Sequence, residues 1–152
     1  MKEFGVIDTF FRGRSFHRSD VLTGIGDDAA ILKVNEGKSL VVTTDTLVEG
    51  VHFSSDTPAR AIGHKALAVS LSDLAAMGAE PSWYTLNLTM PSVDEDWLEE
   101  FSAGLHELSE YYTAQLVGGD ISQGPLVVTI TAHGTIPEDT AIKRNGAKAG
   151  DW

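Results

Sequence analysis

Acidic residues beside glycines and threonines are the part of this 152-residue sequence that can do chemistry. Three short segments carry such acids: Gly26-Asp27-Asp28, Thr43-Thr44-Asp45 and Gly118-Gly119-Asp120. A further candidate acid, Asp73, lies in an Ala- and Leu-rich stretch. Mg²⁺ takes oxygen ligands from a few carboxylates together with phosphates and water. We therefore predict that these segments converge on one Mg²⁺–nucleotide site.

Each segment also has a purely structural explanation. The first can be an Asx turn that begins a strand, and the second can be the solvated end of a strand. Gly118-Gly119-Asp120 can surround a phosphate chain with backbone N–H groups or can be an ordinary turn, since neither a Walker A loop nor a dinucleotide-binding fingerprint is present. Asp73 is expected to be buried, and a buried carboxylate requires a metal, a cation or hydrogen-bond donors.

Three further residues are candidates for binding. His52, in the loop after Asp45, is either a hydrogen-bonded structural residue or a ligand. Arg144 lies in the basic cluster 143–148 and can hold a phosphate through two parallel hydrogen bonds, or it can be part of a solvated turn. Tyr112 either packs at the end of a helix or stacks on a base.

Composition excludes several classes of function. The net charge of −11 argues against nucleic acid or an anionic membrane surface as the main partner, and it means that a polyanion such as ATP needs cations in order to bind. The absence of cysteine excludes disulfides, thiolate zinc sites and cysteine nucleophiles. No signal peptide and no apolar run of about 20 residues is present, so we expect a cytoplasmic protein without a membrane segment.

The elements that must position these residues follow from periodicity. We predict a helix over 3–11, a loop over 12–23, a hairpin of strands 29–34 and 39–44, and a deeply buried helix from an N-cap at Thr57 to about residue 77. Further strands are predicted over 83–89, 115–117, 126–136 and 141–144, with a helix after a capping box at 92–95. Helical crossovers mixed with hairpins indicate an α+β fold with a mixed sheet, forming one domain over 1–152.

Taken in order, the motifs resemble the amino-terminal domain of the thiamine-monophosphate kinase family, within the aminoimidazole-ribonucleotide-synthetase-like superfamily. The matching segments are Gly24-Ile25-Gly26-Asp27-Asp28-Ala29-Ala30, Thr44-Asp45-Thr46-Leu47-Val48-Glu49-Gly50-Val51-His52-Phe53, Lys65-Ala66-Leu67-Ala68-Val69-Ser70-Leu71-Ser72-Asp73-Leu74-Ala75-Ala76-Met77-Gly78-Ala79, Gly118-Gly119-Asp120 and Arg144-Asn145-Gly146-Ala147-Lys148.

This resemblance implies an ATP- and Mg²⁺-dependent kinase that phosphorylates thiamine monophosphate to thiamine diphosphate, and a homodimer. It implies that His52 contacts the thiamine substrate and that ATP contacts Gly119, Asp120, Arg144 and Tyr112. The metal ligands that it implies are Asp28, Thr43, Thr44, Asp45, Asp73 and Asp120. The family's carboxyl-terminal domain is absent from this sequence, so the resemblance also implies that residues 1–152 alone are inactive.

Two other functions fit the residues. One is a different ATP-dependent enzyme of the superfamily, such as a selenophosphate synthetase, although the cysteine that such enzymes commonly use is absent here. The other is a non-catalytic metal-binding module that forms dimers.

Overall fold

The computed structural model describes residues 3–14 and 16–151. An α-helical turn, α1 (Glu3–Val6), continues as a π-helical turn (Ile7–Phe11) and a 3₁₀ turn (Arg12–Arg14). The other elements in chain order are β1 (Val21–Thr23), β2 (Ile31–Leu32), β3 (Lys38–Val48), α2 (Ala59–Ala76), β4 (Glu80–Met90), α3 (Glu95–Tyr111), β5 (Gln115–Gln123), β6 (Val127–Pro137) and a 3₁₀ turn (Arg144–Gly146).

The main sheet has four strands in the order β3-β6-β4-β5. β4 and β5 are parallel and are joined through α3, whereas β6 is antiparallel to both β3 and β4. α2 packs against α3 and against β3, β4 and β6, so both helices cover one face of the sheet. A mixed sheet covered by helices is an α+β fold, which confirms the predicted class. In the described part of the chain, no helix has both the length and the apolar character that a membrane span needs.

Alternating side chains give the sheet two different faces. On β6, Val128, Ile130 and Ala132 are fully buried against the helices, whereas Thr129 and Thr131 between them are half-buried. The face away from the helices, called the open face below, carries pairs of threonines from neighbouring strands. Their hydroxyls are hydrogen-bonded at 3.0 Å between Thr44 and Thr131 and at 2.9 Å between Thr46 and Thr129. The part of the open face that these threonines form is therefore polar.

Two glycines let α2 and α3 approach each other closely. A Cβ at Gly63 of α2 would overlap the carbonyl oxygen of Phe101, and a Cβ at Gly104 of α3 would overlap the carbonyl oxygen of Arg60. Both glycines are buried. Because the obstacles are backbone atoms, a larger side chain can fit only if the two helices separate.

We expect Gly63→Ala and Gly104→Ala each to destabilise the fold by about 1–3 kcal/mol, because overpacking forces the backbone apart. Denaturant unfolding measures this. Gly146→Ala is the control, since no heavy atom lies within 4 Å of where its Cβ would be. Equal stability of Gly63→Ala and Gly146→Ala would contradict the close helix contact.

A polar clamp holds the segment before β1 on the open face. The Trp83 indole donates to Asp20 Oδ1 at 3.0 Å, and the Arg18 guanidinium donates to the same carboxylate at 2.9 Å and 2.8 Å. Arg18 also donates to the Thr113 carbonyl at 2.7 Å and lies 5.9 Å from the centre of the Trp83 ring. These contacts keep Trp83 buried at one end of the open face.

We expect Asp20→Asn to lower the free energy of unfolding by about 1–3 kcal/mol at neutral pH, because it leaves Arg18 without its carboxylate. Hydrogen bonds from Arg18 and Trp83 hold the pKa of Asp20 below its ordinary value of 3.8. A lowered folded-state pKa means that the contribution is complete above pH 3.8 and is lost as the pH falls through the folded pKa.

Unfolding free energies of the wild type and of Asp20→Asn, measured across pH, check this prediction. Their difference should be constant above about pH 5 and should shrink in acid. Asp139→Asn, in an exposed turn after β6, is the control with the same change of charge. A difference that grows in acid would contradict the clamp.

Several predicted elements differ from the structure. The predicted hairpin is wrong, because β2 pairs with β1 and the edge strand β3 pairs with β6. The segment 12–23 is not all loop, since it contains a 3₁₀ turn and β1, and 141–144 forms no strand. The segment 118–120 does not follow a strand but lies inside β5, where hydrogen bonding to β4 continues to Gln123.

The predicted helix starts also need correction. Pro58 is the N-cap of α2, and no side chain caps that end, while Thr57 shares a hydrogen bond with Ser54 at 3.1 Å. At α3 the N-cap is Asp94, whose carboxylate accepts from the Trp97 N–H at 3.0 Å. A carboxylate also interacts favourably with the positive end of the helix dipole, which explains why the acid two residues after Ser92 takes this role.

Candidate functional site

A cleft of about 590 Å³ lies at the β5 edge of the sheet. One wall is the segment 25–30, and another is the N-terminal helix, by which we mean α1 with the π-helical turn that continues it. The floor is formed by β5 and the adjacent part of β4. This cleft, called the β5-edge cleft below, therefore brings together two of the three predicted acidic segments. Its polar and glycine residues are Asp8, Arg12, Gly26, Asp27, Asp28, Thr85, Gly118, Gly119 and Asp120.

All four carboxylates that line the cleft, those of Asp8, Asp27, Asp28 and Asp120, are exposed. The Asp28 N–H donates to Asp27 Oδ1 at 2.8 Å, which closes the turn. Ser122 donates to Asp120 Oδ2 at 2.7 Å. A carboxylate oxygen has two lone pairs, so these bonds orient Asp27 and Asp120 and leave them able to accept further ligands. The arrangement suits binding of a cation with its water shell.

The two glycines of β5 differ in whether the strand could accept a side chain in their place. Gly119 has a φ of 149°, and a Cβ there would overlap the carbonyl oxygen of Leu86 on β4. It must be glycine so that the two strands can pair. Gly118 has no heavy atom within 4 Å of its missing Cβ and faces the cleft. A ligand can therefore approach the backbone closely at Gly118.

A second group of predicted residues lies along the other edge, between β3 and α2. Thr43 donates to Asp73 Oδ2 at 3.0 Å. Asp45 is two residues further along β3 and so lies on the same, helix-covered face. Asp73 is exposed, so the expectation of a buried carboxylate is wrong. It faces outward from α2, and its partner is a hydroxyl rather than a cation in the described structure.

His52 lies in the loop that follows β3. Its Nδ1 accepts from the Val48 N–H at 3.0 Å, and its carbonyl accepts from Lys65 of α2 at 2.5 Å. With Nδ1 engaged, only Nε2 can bind a ligand. We call Thr43, Asp45, Asp73 and this loop the β3-edge group.

The sheet keeps the β3-edge group apart from the cleft. Thr46, next to Asp45, lies in register with Thr129, Asn87 and then Asp120 across the four strands. Neighbouring strands are 4.7–4.9 Å apart, so three spacings separate β3 from β5 by about 14 Å. Asp120 also shares the open face with Thr44 and Thr46, whereas Asp45 lies on the helix-covered face.

One chain thus holds the predicted ligands as two groups. Within residues 3–14 and 16–151, no three acidic or histidine side chains form a cluster that could hold a metal by themselves. The convergence of all these ligands on one site stays a prediction.

The two remaining predicted contacts lie elsewhere on the surface. Tyr112 lines a different groove, beside His64 and Ser72 of α2. Arg144 is exposed in a segment that is attached to the end of α2, where the Ile142 N–H donates to the Met77 carbonyl at 3.0 Å. Neither residue lines the β5-edge cleft.

Two basic residues that line the cleft or stabilise the fold were not predicted from the sequence. Arg12 lines the cleft, and Arg18 forms the clamp around Asp20. The signal that could have found them was the concentration of arginine and histidine over 12–18 in a strongly acidic chain. The sequence alone predicts a loop for this stretch.

The match to a family model decides the family. Residues 26–136 match the model described as AIR synthase related protein, N-terminal domain. The chain belongs to this family. The matched region includes both acidic edges of the sheet, and AIR synthase related proteins are thus the relatives against which the cleft is best compared.

Individual members of the family support the resemblance found in the sequence. The chain is 54% identical over 150 residues to a thiamine-monophosphate kinase of Salmonella typhimurium, a match that covers 99% of this chain and 46% of the relative. The crystal structure of thiamine-monophosphate kinase from Stenotrophomonas maltophilia K279a matches with a TM-score of 0.82 and 49% identity, covering 93% of this chain and 44% of that one.

A third match was solved with ligands. The structure described as AaThiL complexed with AMPPCP and TMP has a TM-score of 0.71 and 33% identity, over 78% of this chain and 38% of its own. The chain spans about half the length of the curated relatives it matches.

Proposed function

We propose that this chain is the Mg²⁺–ATP-binding half of a kinase that transfers the γ-phosphoryl group of ATP to thiamine monophosphate, forming thiamine diphosphate. The observation that carries the proposal is the β5-edge cleft, which Asp28 and Asp120 line together with the open backbone of Gly118. The similarity to a structure complexed with AMPPCP and TMP supports a triphosphate and a phosphorylated acceptor as ligands. A cytoplasmic location fits this proposal, because ATP is available there.

The donor set of the cleft fits Mg²⁺. Mg²⁺ keeps several waters and binds one or two carboxylates together with substrate phosphates, so it does not need a complete protein cage. The cleft offers such carboxylates, and the described residues form no closed cluster. Asp28 and Asp120 would hold the metal here, and Thr43, Asp45 and Asp73 would hold metal on the helix-covered face of the β3 edge. Thr44, whose hydroxyl lies on the open face, would reach a metal from that side. Bound Mg²⁺ supplies positive charge to the phosphate oxygens.

Charge is the main obstacle to this reaction. Two unit charges about 4 Å apart repel by about 4 kcal/mol at an effective dielectric constant near 20, and donor and acceptor are both phosphates. Catalysis of phosphoryl transfer consists largely of positioning and neutralisation. The acceptor phosphate is already anionic, so no side chain has to remove a proton from it. The chain's task is to hold both anions in line.

The other predicted contacts complete the proposal at the β3 edge and beyond. His52 would contact the thiamine substrate through Nε2, because Nδ1 is bound to the backbone. Gly119, Arg144 and Tyr112 would contact ATP. Since Arg144 and Tyr112 lie outside the β5-edge cleft, they would have to contact a nucleotide that extends beyond it or one that is bound by another copy.

A homodimer accounts for the separation of the two acidic groups. In a two-fold symmetric pair each contact occurs twice, so the β3 edge of one copy can lie beside the β5 edge of the other. The open face at the β3 edge carries Leu40 and Val42, which are 46% and 54% exposed. Apolar side chains exposed on an edge strand favour burial against a second sheet. We therefore propose that the two groups meet between copies.

Kinase activity is tested in a chimaera in which this chain replaces the matching part of the Salmonella typhimurium enzyme. We expect it to phosphorylate thiamine monophosphate, and we expect Asp28→Asn, Asp120→Asn and Asp73→Asn each to lower the rate at least about tenfold by removing a charged ligand. Asp139→Asn, outside the cleft, is the control. The 152-residue chain alone should show no turnover.

An inactive chimaera beside an active parent enzyme would contradict the proposed function. Full activity and unchanged Mg²⁺ dependence in Asp120→Asn would contradict the assignment of the cleft. Metal binding without nucleotide binding would instead favour the non-catalytic module.

Sharing of the site between copies is tested by mixing two variants of the chimaera. Asp45→Asn and Asp120→Asn should each be at least about tenfold less active than the wild type. Co-refolding equal amounts of them should raise activity to about a quarter of the wild-type level, because about half of the dimers are mixed and each mixed dimer contains one intact site. A mixture of Asp28→Asn and Asp120→Asn is the control, since both changes fall in the same cleft. No recovery in the first mixture would show that each site is built within one copy.

A further inference from the structure

Arg12 is the one cationic side chain among the described residues that line the β5-edge cleft. It opens the 3₁₀ turn after the N-terminal helix, and its side chain is 47% exposed. The carboxylates around the same cleft are Asp8, Asp27, Asp28 and Asp120. The cleft therefore combines an excess of negative charge, suited to metal, with one guanidinium.

Two features of the structure hold the guanidinium at the cleft. Arg12 Nη1 forms an ion pair with Asp8 Oδ1 at 2.7 Å, one helical turn earlier. Arg12 Nη2 occupies the space beside Gly26, where a Cβ would overlap it. Gly26 has a φ of 122°, which glycine adopts without strain. The turn that carries Asp27 and Asp28 thus leaves room for Arg12.

The backbone that carries Arg12 is anchored in the core. Phe10 and Phe11 are 4% and 3% exposed, and the Phe10 carbonyl lies 3.1 Å from Nε2 of the buried His106 on α3. Because the backbone at this point is already fixed, binding a ligand does not require the chain around Arg12 to become ordered. Arg12 is therefore prepared to receive an anion in the cleft.

We infer that Arg12 binds a phosphate group of the nucleotide directly, beside the metal held by Asp28 and Asp120. This inference rests on the proposed function. A guanidinium has five N–H donors, and the ion pair with Asp8 engages one nitrogen, so donors remain for a phosphate. A phosphate in an acidic cleft gains most from the one cation that is built into its wall.

The inference is tested by isothermal titration of the 152-residue chain with Mg²⁺–AMPPCP and, separately, with adenosine. Arg12→Ala should weaken AMPPCP binding roughly tenfold or more and leave adenosine binding unchanged, because adenosine has no phosphate. Arg12→Lys should recover part of the loss, since lysine keeps the charge but not the planar fork. Arg14→Ala, which breaks the 2.5 Å pair with Glu99 outside the cleft, is the control.

Asp8→Asn separates phosphate binding from a merely structural ion pair. It removes the ion pair and a negative charge but keeps Arg12 and the space beside Gly26 that Arg12 occupies, so AMPPCP binding should be retained or tightened. Weakening of AMPPCP binding in Asp8→Asn equal to that in Arg12→Ala would overturn the inference, and so would equal loss of adenosine and AMPPCP. Circular dichroism melting verifies that the variants fold.

The outcomes for the proposed function are distinct. A wild-type chain that binds no Mg²⁺–AMPPCP would overturn both proposals. Wild-type binding that is insensitive to Arg12→Ala would overturn only the role of Arg12.

Discussion

The spacing and pleat of one four-stranded sheet govern which acidic side chains can share a ligand. β3 and β5 are the two edge strands, and β6 and β4 lie between them. Strand spacing places the edges about 14 Å apart, and alternation sends Asp45 and Asp120 to opposite faces. No change of rotamer can overcome both effects. Chemistry that needs all these acids must therefore use a ligand or a second copy that spans the sheet.

The helices fix the β3 edge by a different route. Gly63 and Gly104 allow α2 and α3 to pack backbone against backbone, and α2 then lies over β3 with Asp73 beside Thr43. An outward shift of α2 would lengthen this hydrogen bond. The packing of two small residues deep between helices and the position of one exposed carboxylate are thus parts of the same arrangement.

Periodicity was a good guide to the individual elements. The alternation in β4 and β6 and the apolar stripe of α3 were sufficient to predict these elements. The α+β class was correct, although the predicted hairpin that supported it does not form. Strand pairing was harder to predict than the strands themselves. β2 pairs with β1 over a short stretch, and no local sequence pattern indicates which strand it joins. The burial of Asp73 was predicted wrongly because alanines surround it, yet Ala75 and Ala76 are themselves exposed. Alanine favours a helix and says little about which side faces the core.

The candidate site followed a similar pattern. Spacing and residue type placed Asp28 and Asp120 in one cleft, because turns at strand ends and edges are where ligands have access. The separation of Asp45 and Asp73 from that cleft depends on strand order, which is a long-range property. Arg12 was missed because its position in the cleft depends on Gly26, which is distant along the chain and adjacent in space.

The contact between Gly119 and the Leu86 carbonyl has a consequence for how such sequences are interpreted. A descendant that had lost all nucleotide binding would still have to keep this glycine, because its sheet would not close otherwise. The presence of this glycine in a relative therefore indicates a shared fold and not a shared activity. Gly118, which the sheet leaves free to change, is the position whose substitution would report a loss of activity.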